Sequence, residues 1–322
     1  MYRTAITEAM REEMERDEHV FIIGEDVDIC GGVYKMTRGL VERFGRKRVR
    51  GTPISEAAFF GLAAGAAMTG LRPIVEIMYL DFALVGIDQL VNQAAKIHYM
   101  SGGQIKMPLV VRGQFGVGTG EAAQHSQHLE SWFVHTPGFK VVMPATAYDA
   151  KGLLKSAVRD DNPVIYLENR VLYLRKEEVP AGEWLVPLGS AEVKREGSDI
   201  TVVATSNAVH KSLAAAERLA SEISVEVIDP RTLDPLDLAT ILNSVKKTGH
   251  LLVVQEGVVG ASFGAEVVRQ VAQDGFSYLR RAPQVLGARD VPVPFSPVLE
   301  RAFVPQVDDI ILTIRQMVGP DE

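Results

Sequence analysis

The chain alternates short apolar runs with amphipathic segments along most of its length. Residues 20–23 are continuously apolar, and residues 200–204 are apolar except for Thr201, which is typical of strands buried on both faces of a sheet. Between such runs, apolar residues recur with helical spacing, as in residues 4–16 and in a long helix predicted over residues 82–99. Strands that alternate with helices predict crossover connections, so the pattern indicates an α/β fold with parallel sheets covered by helices.

The alternation loosens between residues 169 and 197, where a polar stretch contains Pro180, Gly182 and Pro187. A second alternating region follows, and a length of 322 residues is consistent with about two domains. We therefore predict a first domain over residues 1–180, a linker over 181–196 and a second domain over 197–322. The pattern does not determine the order of the strands within either sheet.

The composition narrows the classes of protein. Acidic side chains outnumber basic ones by 41 to 34, a net charge of −7, which argues against nucleic-acid binding. No run of about 18 apolar residues occurs, so no membrane-spanning helix is expected. The first residues are acidic and lack the basic start of a signal peptide, which predicts a cytoplasmic protein. A single cysteine, Cys30, excludes an internal disulfide framework and has no basic sequence neighbour that would make it reactive.

Two carboxylates stand where an open parallel sheet binds ligands, beyond the carboxyl ends of its strands: Glu25 and Glu56. Glu56 begins a predicted helix, with Ser55 as its predicted N-cap. One interpretation is that the helix dipole stabilises a first-turn carboxylate, by about 0.3–1 kcal/mol. The other is that the small residues at 57–67 bury this helix against another backbone, which would raise the pKa of Glu56. The residues alone leave both interpretations open and slightly favour the first.

His125 and His128 lie three residues apart after a glycine-rich stretch at 113–120. A metal site would need a third ligand, such as His135 or Glu130, and no metalloprotease motif supports one. We therefore favour an acid–base or anion-holding histidine. The glycine stretch lacks the Lys-Ser/Thr ending of a phosphate-binding loop, so its glycines are better explained by the backbone freedom they give.

Several short motifs occur along essentially the whole chain. They are GEDV at 24–27, TPISE at 52–56, GLRP at 70–73, AQHSQ at 123–127, YDAKGLL at 148–154 and DPRT at 229–232. Together they resemble the motifs of one protein family, the β subunits of the thiamine-diphosphate-dependent first component of 2-oxo acid dehydrogenase complexes, of the pyruvate dehydrogenase type. The resemblance implies a pyrimidine-binding α/β domain followed by a transketolase-like C-terminal domain.

The same resemblance implies roles for individual residues. Glu56 matches the catalytic glutamate that hydrogen-bonds the pyrimidine ring of thiamine diphosphate, and Phe82 and Met78 match residues of the same pocket. His125 matches a catalytic histidine that positions the substrate or the lipoyl group, and Glu25 matches an acidic cofactor-site residue between paired active sites. A structural potassium site, built largely from backbone carbonyls, is also implied at Leu109, Ala157, Val158, Asp160 and Asn162.

One motif of the family is missing from this chain. The Gly-Asp-Gly sequence that begins the diphosphate and magnesium motif does not occur, and the resemblance assigns it to a separate α subunit. The chain would then hold the pyrimidine end of the cofactor, while the α subunit holds magnesium, in a heterotetramer of two α and two β chains. The C-terminal domain would dock the lipoyl acyltransferase core, and the helix at 57–67 would form a subunit interface.

The resemblance thus implies an oxidoreductase subunit that acts on a 2-oxo acid, with pyruvate as the expected substrate and lipoamide as the acyl acceptor. Within the same class, the alternatives are the β subunits of acetoin dehydrogenase and of branched-chain 2-oxo acid dehydrogenase. An alternative from another class is a non-catalytic scaffold subunit. Such a subunit would tolerate loss of Glu56 and His125.

Overall fold

A computed structural model describes residues 1–29 and 31–319, and the chain divides into two compact units. The first unit comprises Met1–Phe115 with Trp132–Leu188, and the second comprises Gly116–Ser131 with the chain from Gly189 onwards. Cys30, which the sequence predicts to be structural, lies outside the described residues. In the part of the chain that the structure describes, no helix is long and apolar enough to cross a membrane.

The first unit is built on a parallel sheet whose strands are β1 (Val20–Glu25), β2 (Val49–Thr52), β3 (Arg72–Ile77), β4 (Val110–Phe115), β5 (Lys140–Val142) and β6 (Val164–Asn169). They pair in the order β5-β6-β4-β3-β1-β2. Every residue of β1, β4 and β6 is buried. The continuous apolar run at 20–23 predicts this for β1, whereas β4 and β6 also bury the polar side chains of Arg112, Gln114 and Glu168. The helices are α1 (Tyr2–Arg16), α2 (Leu40–Phe44), α3 (Glu56–Met68), α4 (Ile97–Met100), α5 (Glu130–Val134) and α6 (Ala147–Arg159).

Helices α1 and α6 contribute much of the apolar core of this unit. Ile6 and Met10 of α1 are fully buried in one cluster with Leu154 of α6. At the edge of the same contact, the Lys155 Nζ donates to Glu12 Oε2 at 2.8 Å. The apolar stripe that the spacing of residues 4–16 predicts therefore faces the core, and charged side chains pair along its border.

The single helix predicted over residues 82–99 is wrong. The structure has a 3₁₀ helix at Leu80–Leu84, a π-helical segment at Gln89–Ala94 and then the short α4. Between them, Gly86 packs so closely on α3 that a Cβ atom there would lie 2.3 Å from Cδ2 of Phe60. Close packing between segments, which helical periodicity does not reveal, has replaced one long helix by three short pieces.

Residues 181–196, predicted as the linker, contain two ordered parts. The ring of Trp184 stacks on Tyr148 of α6 with centroids 5.3 Å apart, and Gly152 leaves the space that it occupies. The Ser156 hydroxyl donates to the Val186 carbonyl at 2.7 Å. Further along, residues 192–195 form a strand. The role of the whole stretch as an interdomain linker stays a prediction.

The second unit contains a smaller sheet in the order β12-β11-β8-β9-β7, which is parallel except for the antiparallel pairing of its edge strand β7 with β9. The strands of the second unit are β7 (Glu192–Arg195), β8 (Ile200–Ala204), β9 (Val225–Asp229), β10 (Thr232–Asp234), β11 (Leu251–Val258) and β12 (Gln284–Ala288). Its helices are α7 (Asn207–Arg218), α8 (Leu238–Thr248), α9 (Phe263–Gly275), α10 (Pro297–Phe303) and α11 (Val307–Val318).

Candidate active site

Two buried glutamates meet at the carboxyl edge of the first unit's sheet. Glu25 is the last residue of β1 and lies opposite Thr52, the last residue of the neighbouring strand β2. Four residues after Thr52, Glu56 begins α3. Glu25 is 4% exposed and Glu56 is 7% exposed. The parallel pairing of β1 and β2 therefore brings both carboxylates to one edge, and both are buried there.

The Glu25 carboxyl group has a pKa that is raised to near neutral pH. Burial raises the pKa of Glu25 to about 7, and the nearby negative charges of Glu56 and Asp26 add to the increase. Its Oε1 atom is buried and has no hydrogen-bond partner among the described residues. A buried carboxyl oxygen with open hydrogen-bonding capacity, next to a second carboxylate, is suited to a ligand that donates or shares a proton.

Helix α3 begins without side-chain capping. Ser55 occupies the N-cap position that the sequence predicts, but its side chain makes no capping hydrogen bond. Gly86 approaches the first turn from outside, where a Cβ would lie 3.1 Å from the backbone carbon of Glu56. The missing side chain at Gly86 thus lets its backbone approach the start of α3, and the second interpretation of Glu56 stays a prediction. That approach comes from within the same unit.

Met78 and Phe82 follow β3 at the same edge. β3 lies beside β1 in parallel, with Gly24 opposite Glu76, so the segment after Ile77 leaves the sheet where Glu25 ends β1. Both side chains are partly exposed. The register therefore places Met78 and Phe82 at the same sheet edge as Glu25. An aromatic ring and a thioether are side chains suited to the face of a flat heterocycle.

His125 lies in the loop at 116–131, which groups with the second unit. Its backbone N–H donates to the Ala122 carbonyl at 3.5 Å, and its side chain is partly buried. The chain around it forms turns, so His125 and His128 do not share the helical face that their spacing would allow. The assignment of His125 as an active-site residue stays a prediction.

His128 is a nearly buried neighbour of an acidic side chain. Its Nδ1 lies 3.8 Å from Glu130 Oε2, and both side chains are about 5% exposed. Within residues 1–29 and 31–319, no group of three or more His, Cys, Asp or Glu residues is arranged to hold a metal ion. The geometry at His128 is that of a buried histidine–carboxylate contact.

The glycine-rich stretch binds an internal carboxylate. The backbone N–H groups of Gly118 and Gly120 both donate to Glu300 of α10, the former at 2.6 Å to Oε1. No local motif in the sequence indicates this role for Glu300, because Glu300 lies 182 residues after Gly118. The glycines therefore allow the backbone to wrap a side chain of the protein itself.

The residues matched to a potassium site gather around the end of α6. The Leu109 carbonyl accepts from a strand N–H at 2.8 Å, and the Ala157 carbonyl accepts from the Asp160 N–H at 3.3 Å. The Asp160 carbonyl accepts from Nη2 of Arg72 at 3.4 Å. A carbonyl oxygen has two acceptor positions, so one hydrogen bond does not by itself prevent a carbonyl from binding a cation, and the potassium site stays a prediction.

The two remaining residues of that set differ in their surroundings. Val158 is buried within α6. Asn162 donates to Asp160 Oδ1 from its backbone at 2.9 Å and from its side chain at 2.8 Å. These bonds hold the turn that follows α6, and the carbonyl-rich donor set fits a monovalent cation.

Comparison with known proteins assigns both halves of the chain. Residues 1–175 match the family model described as transketolase, pyrimidine binding domain, and residues 189–310 match transketolase, C-terminal domain. The pyruvate dehydrogenase E1 component subunit beta of Rickettsia felis is 48% identical over 98% of this chain and 97% of its own length. The chain belongs to this E1 beta-subunit family.

Other E1 beta subunits are similarly close. The Rhizobium meliloti protein is 48% identical over 97% of this chain and 68% of its own length. The mitochondrial protein of Bos taurus is 47% identical over 98% of this chain and 90% of its own length. These identities confirm that this chain resembles the E1 beta-subunit family, as its motifs indicate.

Solved structures support the fold of this E1 beta-subunit homologue. A protein described as a split gene transketolase, inactive beta4 tetramer, superposes with a TM-score of 0.83 at 21% identity and covers 98% of each chain. Transketolase from Leishmania mexicana gives a TM-score of 0.74 at 17% identity, over 99% of this chain and 46% of its own. The predicted α/β fold with a pyrimidine-binding domain followed by a transketolase-like C-terminal domain is confirmed.

Proposed function

We propose that this E1 beta-subunit homologue works in a thiamine-diphosphate-dependent pyruvate dehydrogenase, and that Glu56 holds the pyrimidine ring of the cofactor. The observation that carries the proposal is the pair of buried glutamates at the carboxyl edge of the first sheet. Glu56 begins a helix there, and Glu25 has a buried oxygen with no hydrogen-bond partner in the described ranges. Two carboxylates with a shared proton suit an aminopyrimidine, which offers nitrogen donors and acceptors.

The chain's own residues would bind and orient the ring. The Glu56 carboxyl group would share a proton with a ring nitrogen, because its burial strengthens such a hydrogen bond. The raised pKa of Glu25 would let it hold or release a proton near neutral pH. Phe82 and Met78 would form an apolar wall and restrict water. When bound, the cofactor supplies the electron sink that decarboxylation of a 2-oxo acid requires.

The catalytic unit would need a second type of chain. This sequence lacks the Gly-Asp-Gly start of a diphosphate and magnesium motif, so we assign magnesium to an α subunit in a heterotetramer of two α and two β chains. The outer side of α3 supports an interface, since Leu62 and Met68 are 49% and 43% exposed. The second unit would dock the lipoyl acyltransferase core, and His125 would position the substrate or the lipoyl group.

Pyruvate is favoured as the substrate. The relatives compared above are named as pyruvate dehydrogenase subunits, which favours pyruvate over acetoin or a branched-chain 2-oxo acid. The same relatives argue against a non-catalytic scaffold. The bovine relative is named as mitochondrial, so the names of the relatives do not give one location. A cytoplasmic location therefore stays part of the proposal.

A potassium ion at the end of α6 is a second element of the proposal. The carbonyl oxygens of Leu109, Ala157 and Asp160 support it, with Val158 and Asn162 completing the set. Exchange of K⁺ for Na⁺, followed by thermal unfolding of the assembled protein, tests whether this site prefers potassium.

The substitution Glu56→Gln tests the central assignment. In the complex with an α subunit, we expect decarboxylation of pyruvate to fall at least about 100-fold, because an amide cannot share a proton with the ring as a carboxyl group does. Activity is measured with an artificial electron acceptor, so the acyltransferase core is not needed, and assembly is checked by size-exclusion chromatography.

The matched control is Glu42→Gln, which changes an exposed first-turn glutamate of α2. It removes a comparable helix-dipole interaction and should leave turnover unchanged. Near-normal turnover of the Glu56→Gln complex would refute the cofactor assignment. Equal losses in both variants would instead point to the helix-dipole interpretation.

A further inference from the structure

The loop that contains His125 is attached to the second unit at both ends. At its start, the N–H of Gly118 donates to Glu300 Oε1 at 2.6 Å, and the N–H of Gly120 reaches both oxygens at 3.2 and 3.3 Å. At its end, the Ser131 hydroxyl accepts from the N–H of Phe263, the first residue of α9, at 3.1 Å. His125 lies between the two attachments.

The part of the loop that contacts Glu300 has positive φ angles, which residues with a side chain rarely adopt. Gly118 and Gly120 have φ angles of +109° and +71°, and Gly116 has +97°. In this conformation the N–H groups of Gly118 and Gly120 both donate to the Glu300 carboxylate, as backbone N–H groups do in a small anion-binding concavity. Here the anion is a side chain of the protein, so the loop depends on Glu300 for the partners of its amides.

Glu300 is itself held firmly. It is 4% exposed, and α10 packs through Phe303 into a small buried cluster that includes Val117 of the loop and Val293. The apolar contact and the hydrogen bonds therefore join the same two segments. Hydrogen bonds to an ionised acceptor are about twice as strong as neutral ones, so a carboxylate at position 300 holds the two amides more strongly than a neutral acceptor would.

We propose that Glu300 is a positioning residue, whose carboxylate fixes the Gly116–Gly120 backbone and thereby the position of His125. The catalytic consequence rests on the proposed function, whereas the ordering of the loop does not. A glutamine at position 300 would keep the volume but present an NH₂ group to a backbone N–H. An aspartate would keep the charge but shorten the reach by one methylene.

The first measurement is hydrogen–deuterium exchange of the assembled protein. For Glu300→Gln, we expect exchange at residues 118–128 to increase at least about tenfold, with β8 and β11 unchanged. Glu300→Asp should give an intermediate increase. The control Arg301→Ala alters an exposed neighbour on the same helix and should leave the loop at its original rate. Unchanged loop exchange in both position-300 variants would overturn the proposal.

The second measurement is a double-mutant cycle with His125→Ala. We expect Glu300→Gln alone to lower kcat/KM about ten- to hundredfold, as misplacement of a positioned group does, and to have almost no effect when His125 is already absent. Additive losses would show that Glu300 acts independently of His125. If Glu56→Gln were fully active, the proposed function would fail, while the exchange result would still test whether Glu300 orders the loop.

Discussion

Two pairs of buried glutamates in the first unit show opposite solutions to burying negative charge. Glu76 and Glu168 flank Arg112, whose guanidinium donates to both, to Glu168 at 2.6 and 2.8 Å. Glu25 and Glu56 lie at the nearby edge, where burial and the charges of Glu56 and Asp26 raise the pKa of Glu25, and no positive charge among the described residues is a main cause that opposes the increase. The first pair is compensated and structural, whereas the second is left with an unmet hydrogen-bonding capacity.

The contrast is sharp because the two pairs are almost adjacent. Glu76 lies opposite Gly24 in the register of β1 and β3, one residue before Glu25. Burial raises the pKa of Glu76, and the Arg112 charge opposes that increase. Burial lowers the pKa of Arg112, but the Glu168 and Glu76 carboxylates raise it overall. A step of one residue along the strand thus separates a cation-neutralised cluster from a pair of carboxylates in which the pKa of Glu25 is raised.

The largest effect is expected from breaking the compensated cluster. Arg112→Met would leave two buried carboxylates without their cation and should lower the free energy of unfolding by about 3–5 kcal/mol. Urea unfolding followed by circular dichroism measures the change. Adding Glu168→Gln should restore part of the loss, because it removes one unpaired charge.

Arg38→Met provides the control, since Arg38 is exposed. It should change the free energy of unfolding by less than about 0.5 kcal/mol. A loss below about 1 kcal/mol for Arg112→Met would mean that the two pairs do not differ in the way described.

A smaller effect of opposite sign is expected at the uncompensated pair. The pKa of Glu25 rises from 4.5 to about 7 on folding, so between these values the folded state keeps a proton that the unfolded state has lost. Stability therefore falls as the pH rises through this window. Glu25→Gln should remove that loss and raise the free energy of unfolding at pH 8 by on the order of 1–3 kcal/mol.

The measurement is urea unfolding at pH 5 and pH 8, with the exposed Glu178→Gln as the control. At pH 5 the variant and the original chain should differ little. A Glu25→Gln variant that is less stable than the original chain at pH 8 would contradict the interpretation that the Glu25 charge is buried without a compensating cation.

The smallest effect is expected at Asp160, which has the reverse pH dependence. Burial raises the pKa of Asp160, but hydrogen bonds from Lys140 and Asn162 lower it overall below 3.8. Its contribution is therefore present above the unfolded pKa and is lost as the pH falls through the folded pKa. Asp160→Asn should cost about 1 kcal/mol at pH 7 and progressively less below pH 4.

Thermal unfolding between pH 3 and pH 7 detects this change, and Asp290→Asn serves as an exposed control. A pH-independent difference between Asp160→Asn and the original chain would show that its carboxylate charge is not what stabilises the turn. Together, the three variants separate a cation-neutralised cluster, an uncompensated pair and a hydrogen-bonded surface turn.

The sequence predicted some parts of the candidate site well because the relevant signal is local. Glu25 follows an apolar run and Glu56 precedes a helix of small residues, so both were recognisable as residues at the end of a strand or the start of a helix. Ser55 was placed correctly at the N-cap, but whether its hydroxyl caps depends on its backbone and rotamer. Arg112 and Glu300 gave no signal, since their partners are remote in sequence.

The alternation of apolar runs and helical segments determined the α/β class and the existence of two alternating halves, and separate short motifs indicated the family. Each of these signals depends only on residues that are neighbours in the sequence. Only the tertiary structure decided the strand order, the break at Gly86, the pairing of Glu25 with Glu56 and the attachment of the glycine loop to Glu300. The physical reason is that burial, close approach and electrostatic compensation are properties of segments brought together in space.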